Sequence, residues 1–138
     1  MSAERLKGSW PAEPASVGEA RAAVAGFASA VGIGPDGLMA IMLAVSEAVT
    51  NTVVHAYVDD ARPGQVHVTA EREPGGLRIA VADQGCGLRP RTDSPGSGLG
   101  LPLIAQMAER FHVERGDEGG TTLHMRFPLG QPFRRPAG

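Results

Sequence analysis

The chain of 138 residues has one cysteine (Cys86), one lysine (Lys7) and one tryptophan, and aromatic residues make up only 4% of it. A single thiol excludes an internal disulfide framework and suits a reducing compartment. No run approaches the roughly 18 apolar residues that a membrane-spanning helix needs. The N-terminal MSAERLKGSW has no apolar signal core. Positive charge is not in excess: the formal net charge is −2, so no general basic field exists to attract nucleic acid or anionic lipid. These absences predict a cytoplasmic protein with no membrane segment and no direct nucleic-acid partner.

What is present is ordinary globular usage, with 42% hydrophobic and 20% charged residues. The length fits one domain, expected over residues 1–130, with a disordered tail over 131–138. The 19 glycines are unevenly placed: eight fall between Gly85 and Gly120. Glycine gathered in one region suggests backbone shaped around something.

Periodicity supplies a coarse map. Arg5 to Trp10 suits a short edge strand. Ser16-Val17-Gly18-Glu19 has the form of a capping box, and Ala20, Val24, Phe27 and Val31 follow at helical spacing. A second helix is expected from Asp36 to Val54 or His55, with Leu38, Met42, Val45, Val49 and Val53 as its buried stripe. Gln65 to Arg72 and Leu77 to Asp83 read as strands joined by a longer loop, Glu73-Pro74-Gly75-Gly76. Residues 84–98 lack periodicity and read as a mobile loop. Leu99 to Arg110 suits a third helix, with Pro102 tolerated in its first turn. Phe111 to Arg115 and Thr121 to Phe127 form a closing hairpin, with Leu123, Met125 and Phe127 alternating onto one face. The order of elements favours an α+β fold with helices gathered on one face of a sheet over a doubly wound fold.

Three stretches could carry chemistry. On the second helix, Glu47, Asn51 and His55 recur at i, i+4 and i+8 on one face. That is either a solvated face or a site: an Asn oxygen can ligate Mg²⁺, a carboxylate can act as base, and an imidazole can meet phosphate. Asp83-Gln84-Gly85-Cys86-Gly87 follows a strand directly. It is either a plain turn or an acceptor for an exocyclic amine, with glycines allowing flat ring packing. Gly96-Ser97-Gly98-Leu99-Gly100-Leu101 opens a helix, where unpaired N–H groups and the helix dipole favour phosphate. It is neither a Walker A loop nor a Rossmann turn.

Taken in order, these boxes, followed by Gly-Gly-Thr-Thr at a strand entry, resemble the GHKL ATP-binding superfamily and within it the anti-sigma factor serine kinases. Ser46 to Tyr57 (SEAVTNTVVHAY) is similar to their N box, DQGCGL to the next box, and GSGLGLPLI to the box between lid and helix. The resemblance covers roughly residues 5–128. It implies the histidine-kinase-like (Bergerat) ATPase fold, a two-layer α/β sandwich with a mixed, mostly antiparallel sheet. It implies that Asn51 ligates the Mg²⁺ bridging the ATP phosphates, that Glu47 is the catalytic base, and that His55 lies near the phosphates. Asp83 would bind the adenine amine, supported by Gly85, Gly87 and, through water, Thr121. Gly98, Leu99 and Gly100 would hold the phosphates, with residues 88–97 as the ATP lid.

The implied function is an ATP-binding anti-sigma factor that sequesters a sigma factor and phosphorylates a serine of an anti-sigma-factor antagonist, with homodimerisation as a family expectation. One departure stands out. Kinases of this group often carry a basic residue just before the G-x-G of the lid box, where this chain has Gly96 and Ser97. Arg89 or Arg91 could substitute. The alternative is a nucleotide-gated binding module with little kinase activity; a third reading is an interaction domain whose glycine loops bind nothing. No phosphoacceptor-histidine helix is expected ahead of the domain. His67, His112 and His124 fall in expected strands and read as structural, and Cys86 as inert.

Overall fold

A computed structural model of the chain describes residues 5–56, 64–84, 100–116 and 119–129. Strand β1 (Arg5–Pro11) leads into helices α1 (Ala15–Val31) and α2 (Pro35–Asn51). A π-helical turn (Thr52–Ala56) continues α2, followed by β2 (Gln65–Glu73), β3 (Gly76–Asp83), α3 (Gly100–Met107), β4 (Arg110–Arg115) and β5 (Thr121–Pro128). The five strands form one sheet in the order β1-β2-β3-β5-β4. All of these pairings are antiparallel. The α+β architecture is as expected, but the expected mixed sheet has no parallel pair among the described strands.

The core lies between one face of the sheet and the helices. Val66, Val68 and Ala70 of β2, Leu77, Ile79 and Val81 of β3, and Leu123, Met125 and Phe127 of β5 all point into it. This is the period-2 alternation of a sheet covered on one side. Opposite them sit Ala20, Val24 and Ala28 of α1, Ile41, Ala44, Val45, Ala48 and Val49 of α2, and Ile104 of α3. Each fully buried aliphatic side chain contributes roughly 1.5–3 kcal/mol relative to exposure. The span Pro35–Val54 is long and apolar enough to cross a bilayer by length and composition. Ile41, Ala44, Val45, Ala48 and Val49 of this span are used in packing, while Met39, Leu43 and Val54 are exposed; α2 lies against both α1 and α3 and touches the sheet.

Several local expectations need correction. There is no capping box: α1 starts at Ala15 behind Pro14, with no side-chain cap, and Ser16 is buried inside the first turn. The buried stripe of α2 is centred on Ile41, Ala44, Val45, Ala48 and Val49, whereas Leu38, Met42 and Val53 are half-buried. The small alanines, weak signals in a hydrophobicity pattern, let the helix sit close to its neighbours. The loop between β2 and β3 is shorter than expected. Glu73 pairs with Gly76, leaving a two-residue turn in which Pro74 precedes Gly75 at φ +73°, the residue pattern of a type II turn. Helix α3 ends at Met107, and Arg110 already belongs to β4. The expected tail over 131–138 and the expected lid over 88–97 lie outside the described residues.

The outer face of the sheet is polar. Arg78 binds Glu71 at 3.0 Å. Arg126 contacts Glu73 at 3.2 Å, Glu109, and the carbonyl of Pro74 at 2.7 Å. The three strand histidines all have neighbours: His67 pairs with Ser9, while His124 stacks on His112 with ring centroids 4.5 Å apart and meets Glu114 at 2.8 Å.

Candidate functional site

Buried polar side chains are costly unless a partner or ligand satisfies them. Among the described residues, the buried polar groups are Ser16, Asn51, Thr52, Asp83 and Thr121. All but Ser16 fall in two places, the C-terminal end of α2 and the adjoining ends of β3 and β5.

At the first place, α2 brings Asn51 to its last α-helical position with 6% of its surface exposed. Glu47 lies one turn earlier and is half-buried. Arg21 of α1 donates to the Ser46 hydroxyl at 3.4 Å, tying α1 to α2 beside Glu47. The helix then changes character. Thr52 donates its hydroxyl to the carbonyl of Ala48 at 3.3 Å, and Thr52–Ala56 takes π geometry. Such turns break the α-helical register and recur at functional sites. The i, i+4 relation therefore holds for Glu47 and Asn51, whereas the backbone of His55 lies in the π turn, so its α-helical placement is corrected. The π turn leans on β3, which connects the first place to the second.

At the second place, Asp83 closes β3 with 6% exposure and pairs in register with Thr121, the first residue of β5, which is 3% exposed. The approach of the two strand ends depends on Gly120. It sits at φ +84°, and a Cβ there would lie 2.6 Å from the Asp83 carbonyl oxygen and 3.3 Å from the Cα of Gln84. Gly120 was not among the expected site residues. The signal was available in the Gly-Gly pair before Thr121, but its meaning depends on a neighbour 37 positions away in sequence. Thr52 is likewise not among the expected site residues, although it is one of the polar groups beside Asn51 on this helix.

Gly100 opens α3, which packs against α2. A helix N-terminus presents unpaired N–H groups. Gly85, Gly87, Gly98 and Leu99, with Cys86, Arg89 and Arg91, lie outside the described residues. The structure thus brings Glu47 together with Asn51, and Asp83 together with Thr121.

The donor set suits a magnesium nucleotide. A buried carboxylate at a strand end is an acceptor for an amine, and a buried amide oxygen is a hard ligand of the kind Mg²⁺ takes. Among the described residues no group of three His, Cys, Asp or Glu side chains could hold a metal.

Comparison with known proteins identifies the family. Residues 10–127 match the model of the histidine kinase-like ATPase domain. The chain is 35% identical over 130 residues to a serine-protein kinase RsbW of Bacillus licheniformis, covering 83% of this chain and 80% of that protein. It is 29% identical to an anti-sigma F factor of Clostridium novyi, covering 94% and 97% respectively. Among solved structures, the RsbU and RsbW domains of Rv1364c from Mycobacterium tuberculosis superpose with a TM-score of 0.74 at 24% identity. That match covers 98% of this chain and 35% of the longer one, and it bears on the fold alone. The chain belongs to the histidine kinase-like ATPase domain family, whose members use ATP.

Proposed function

From that membership we propose that the protein is an ATP-dependent serine kinase and anti-sigma factor, which holds a sigma factor and phosphorylates a serine on the sigma factor's antagonist. The observation that carries this reading is the pairing of buried Asn51 with half-buried Glu47 one helical turn apart. The curated relatives named serine-protein kinase and anti-sigma F factor support it at near full length.

Asp83, backed by Thr121, would accept a hydrogen bond from the adenine amine. The amide oxygen of Asn51 would hold Mg²⁺, which supplies charge neutralisation at the phosphates. Glu47 would accept the proton of the substrate hydroxyl as its oxygen bonds to the γ-phosphorus and the bond to the β-phosphate oxygen breaks, releasing ADP. His55, Gly100 and the glycines of the boxes at Gly85, Gly87 and Gly98, with Leu99, would surround the nucleotide. The antagonist gains roughly −1.5 to −2 charges on phosphorylation, enough to break an interface by repulsion and desolvation. The protein would act in the cytoplasm, as a homodimer. The alternative of a nucleotide-gated module rests on Gly96 and Ser97, outside the described residues.

The test is calorimetry of ATP binding with Mg²⁺ for the wild type and Asn51→Ala. Saturable binding that weakens at least tenfold in the variant, with the difference abolished by chelating Mg²⁺, is expected. A folded wild type that binds no ATP would overturn the reading.

A further inference from the structure

The sheet face turned away from the helices carries a second polar cluster, at the β1 edge. Val66, Val68 and Ala70 point into the core, so alternation turns His67 and Thr69 outward. The register of β1 on β2 places Ser9 opposite His67 and Lys7 opposite Thr69. Four hydrogen-bonding side chains thereby form a two-by-two block on two paired strands. With Gln84 at its end, they line a shallow, open groove of about 430 Å³.

The chemistry of the block is that of a donor array. Ser9 Oγ and His67 Nδ1 are 2.7 Å apart. If the hydroxyl donates to Nδ1, neutral His67 carries its proton on Nε2. If Nδ1–H donates instead, the hydroxyl hydrogen is free to turn outward. In either tautomer the pair keeps one hydrogen-bond donor to offer. Thr69 supplies a hydroxyl, and Lys7, the chain's single lysine, supplies three N–H donors and a full charge. Among the described residues Lys7 makes no ion pair, and no carboxylate lines the groove. Glu71, two positions beyond Thr69, is already held by Arg78 at 3.0 Å and Arg5 at 3.7 Å. The local field therefore favours an anion. A tetrahedral oxyanion has the acceptors to meet hydroxyl, imidazole and ammonium together, and charge-assisted bonds of this kind are the strong ones.

We propose that Lys7, Ser9, His67 and Thr69 form a binding site for a tetrahedral phosphate oxyanion, free or esterified, on the sheet face opposite the helices. None of the four residues is one proposed to bind the nucleotide, although Gln84, which follows Asp83, borders the same groove.

The experiment is an NMR titration with inorganic phosphate, read at the imidazole resonances of His67 and the methyl of Thr69, with sodium chloride at matched ionic strength as control. The His67 signals are assigned by their loss in His67→Gln. A saturable shift with phosphate that chloride does not reproduce is expected, with affinity at least tenfold weaker in Lys7→Ala and in Ser9→Ala. All three substitutions are on the outer face of the sheet, and circular dichroism checks that each variant is folded. An equal shift with chloride, no saturation, or unchanged affinity in folded Lys7→Ala would overturn the proposal. A parallel titration with N-acetyl-O-phosphoserine amide separates the sources. Tighter binding than inorganic phosphate identifies a phosphate borne on a protein side chain, and weaker binding identifies free phosphate. Repeating the titration in Asn51→Ala should leave the shift unchanged, so failure of the nucleotide site would not imitate failure of this one.

Discussion

Replacing Gly120 by alanine would place a methyl carbon 2.6 Å from the carbonyl oxygen of Asp83, where neither backbone can yield without the strands parting. Two costs add. The φ of +84° lies in the left-handed region, which costs a non-glycine residue roughly 1–2 kcal/mol. Overpacking against fixed backbone adds about 1–3 kcal/mol more. The sum, about 2–5 kcal/mol, is a large share of the 5–15 kcal/mol that holds a typical domain together. Gly75 supplies the control. Its φ is +73°, but a Cβ there meets only the flexible end of Arg126 at 3.5 Å, so Gly75→Ala should cost roughly 1–2 kcal/mol, the conformational part alone. Urea unfolding of the two variants measures the difference, and calorimetry measures its functional side. Gly75 lies at the opposite end of β3 from Asp83, so Gly75→Ala should bind ATP like the wild type, while Gly120→Ala should bind it at least tenfold more weakly. Equal destabilisation of the two, or a Gly120→Ala protein with unaltered ATP affinity, would refute the link between this close approach and the site.

Other outcomes follow from the same structure. Glu47→Gln should reduce phosphotransfer to the antagonist by about 10²–10⁴-fold, the usual contribution of a general base, while calorimetry finds ATP affinity within twofold of the wild type; transfer at the wild-type rate would remove Glu47 from the chemistry. Arg126→Ala should destabilise by about 1.5–3 kcal/mol in urea, since a half-buried cation loses Glu73, Glu109 and the Pro74 carbonyl together. Arg78→Ala, which loses an exposed pair with Glu71, should change stability by less than about 1 kcal/mol.

The parts of the fold that were legible in the sequence are those where burial repeats with a fixed period. Ile79 and Val81 in β3, and Leu123, Met125 and Phe127 in β5, alternate cleanly because one face of each strand is core. The helix positions were harder to read. Val45 and Val49 of α2 are buried as expected, but Ala44 and Ala48 are core residues that hydrophobicity ranks low, and the expected stripe takes in the half-buried Leu38, Met42 and Val53 in place of Ile41, Ala44 and Ala48. The Ser16 capping box failed for a related reason: Ser16 satisfies the local pattern, yet the chain enters the helix one residue earlier, at Ala15. At the site, Asn51 and Asp83 were legible because a poor helix former and a strand-end carboxylate are each unusual where they stand. The close approach of Gly120 to Asp83 was not, since it joins segments far apart in the chain, and no residue pattern in Thr52–Ala56 marks the π turn.

The order of strands in the sheet also has a consequence in time. The two-residue turn at Pro74-Gly75 lets β2 and β3 zip together locally, an event that takes about 1–10 µs in hairpins. Strand β1 has no such advantage. Its pairing with β2 starts at Pro11 opposite Gln65, so both α1 and α2 lie inside the loop that must close first, and loop closure of that length delays any contact it brings. The topology makes β1 the last strand to dock. The first seam to open on partial unfolding is then the one between β1 and β2, and hydrogen exchange at Leu6 and Gly8 should outpace that at Ile79. The groove that holds Lys7 and Ser9 against His67 would come and go with that seam while the centre of the sheet stays intact.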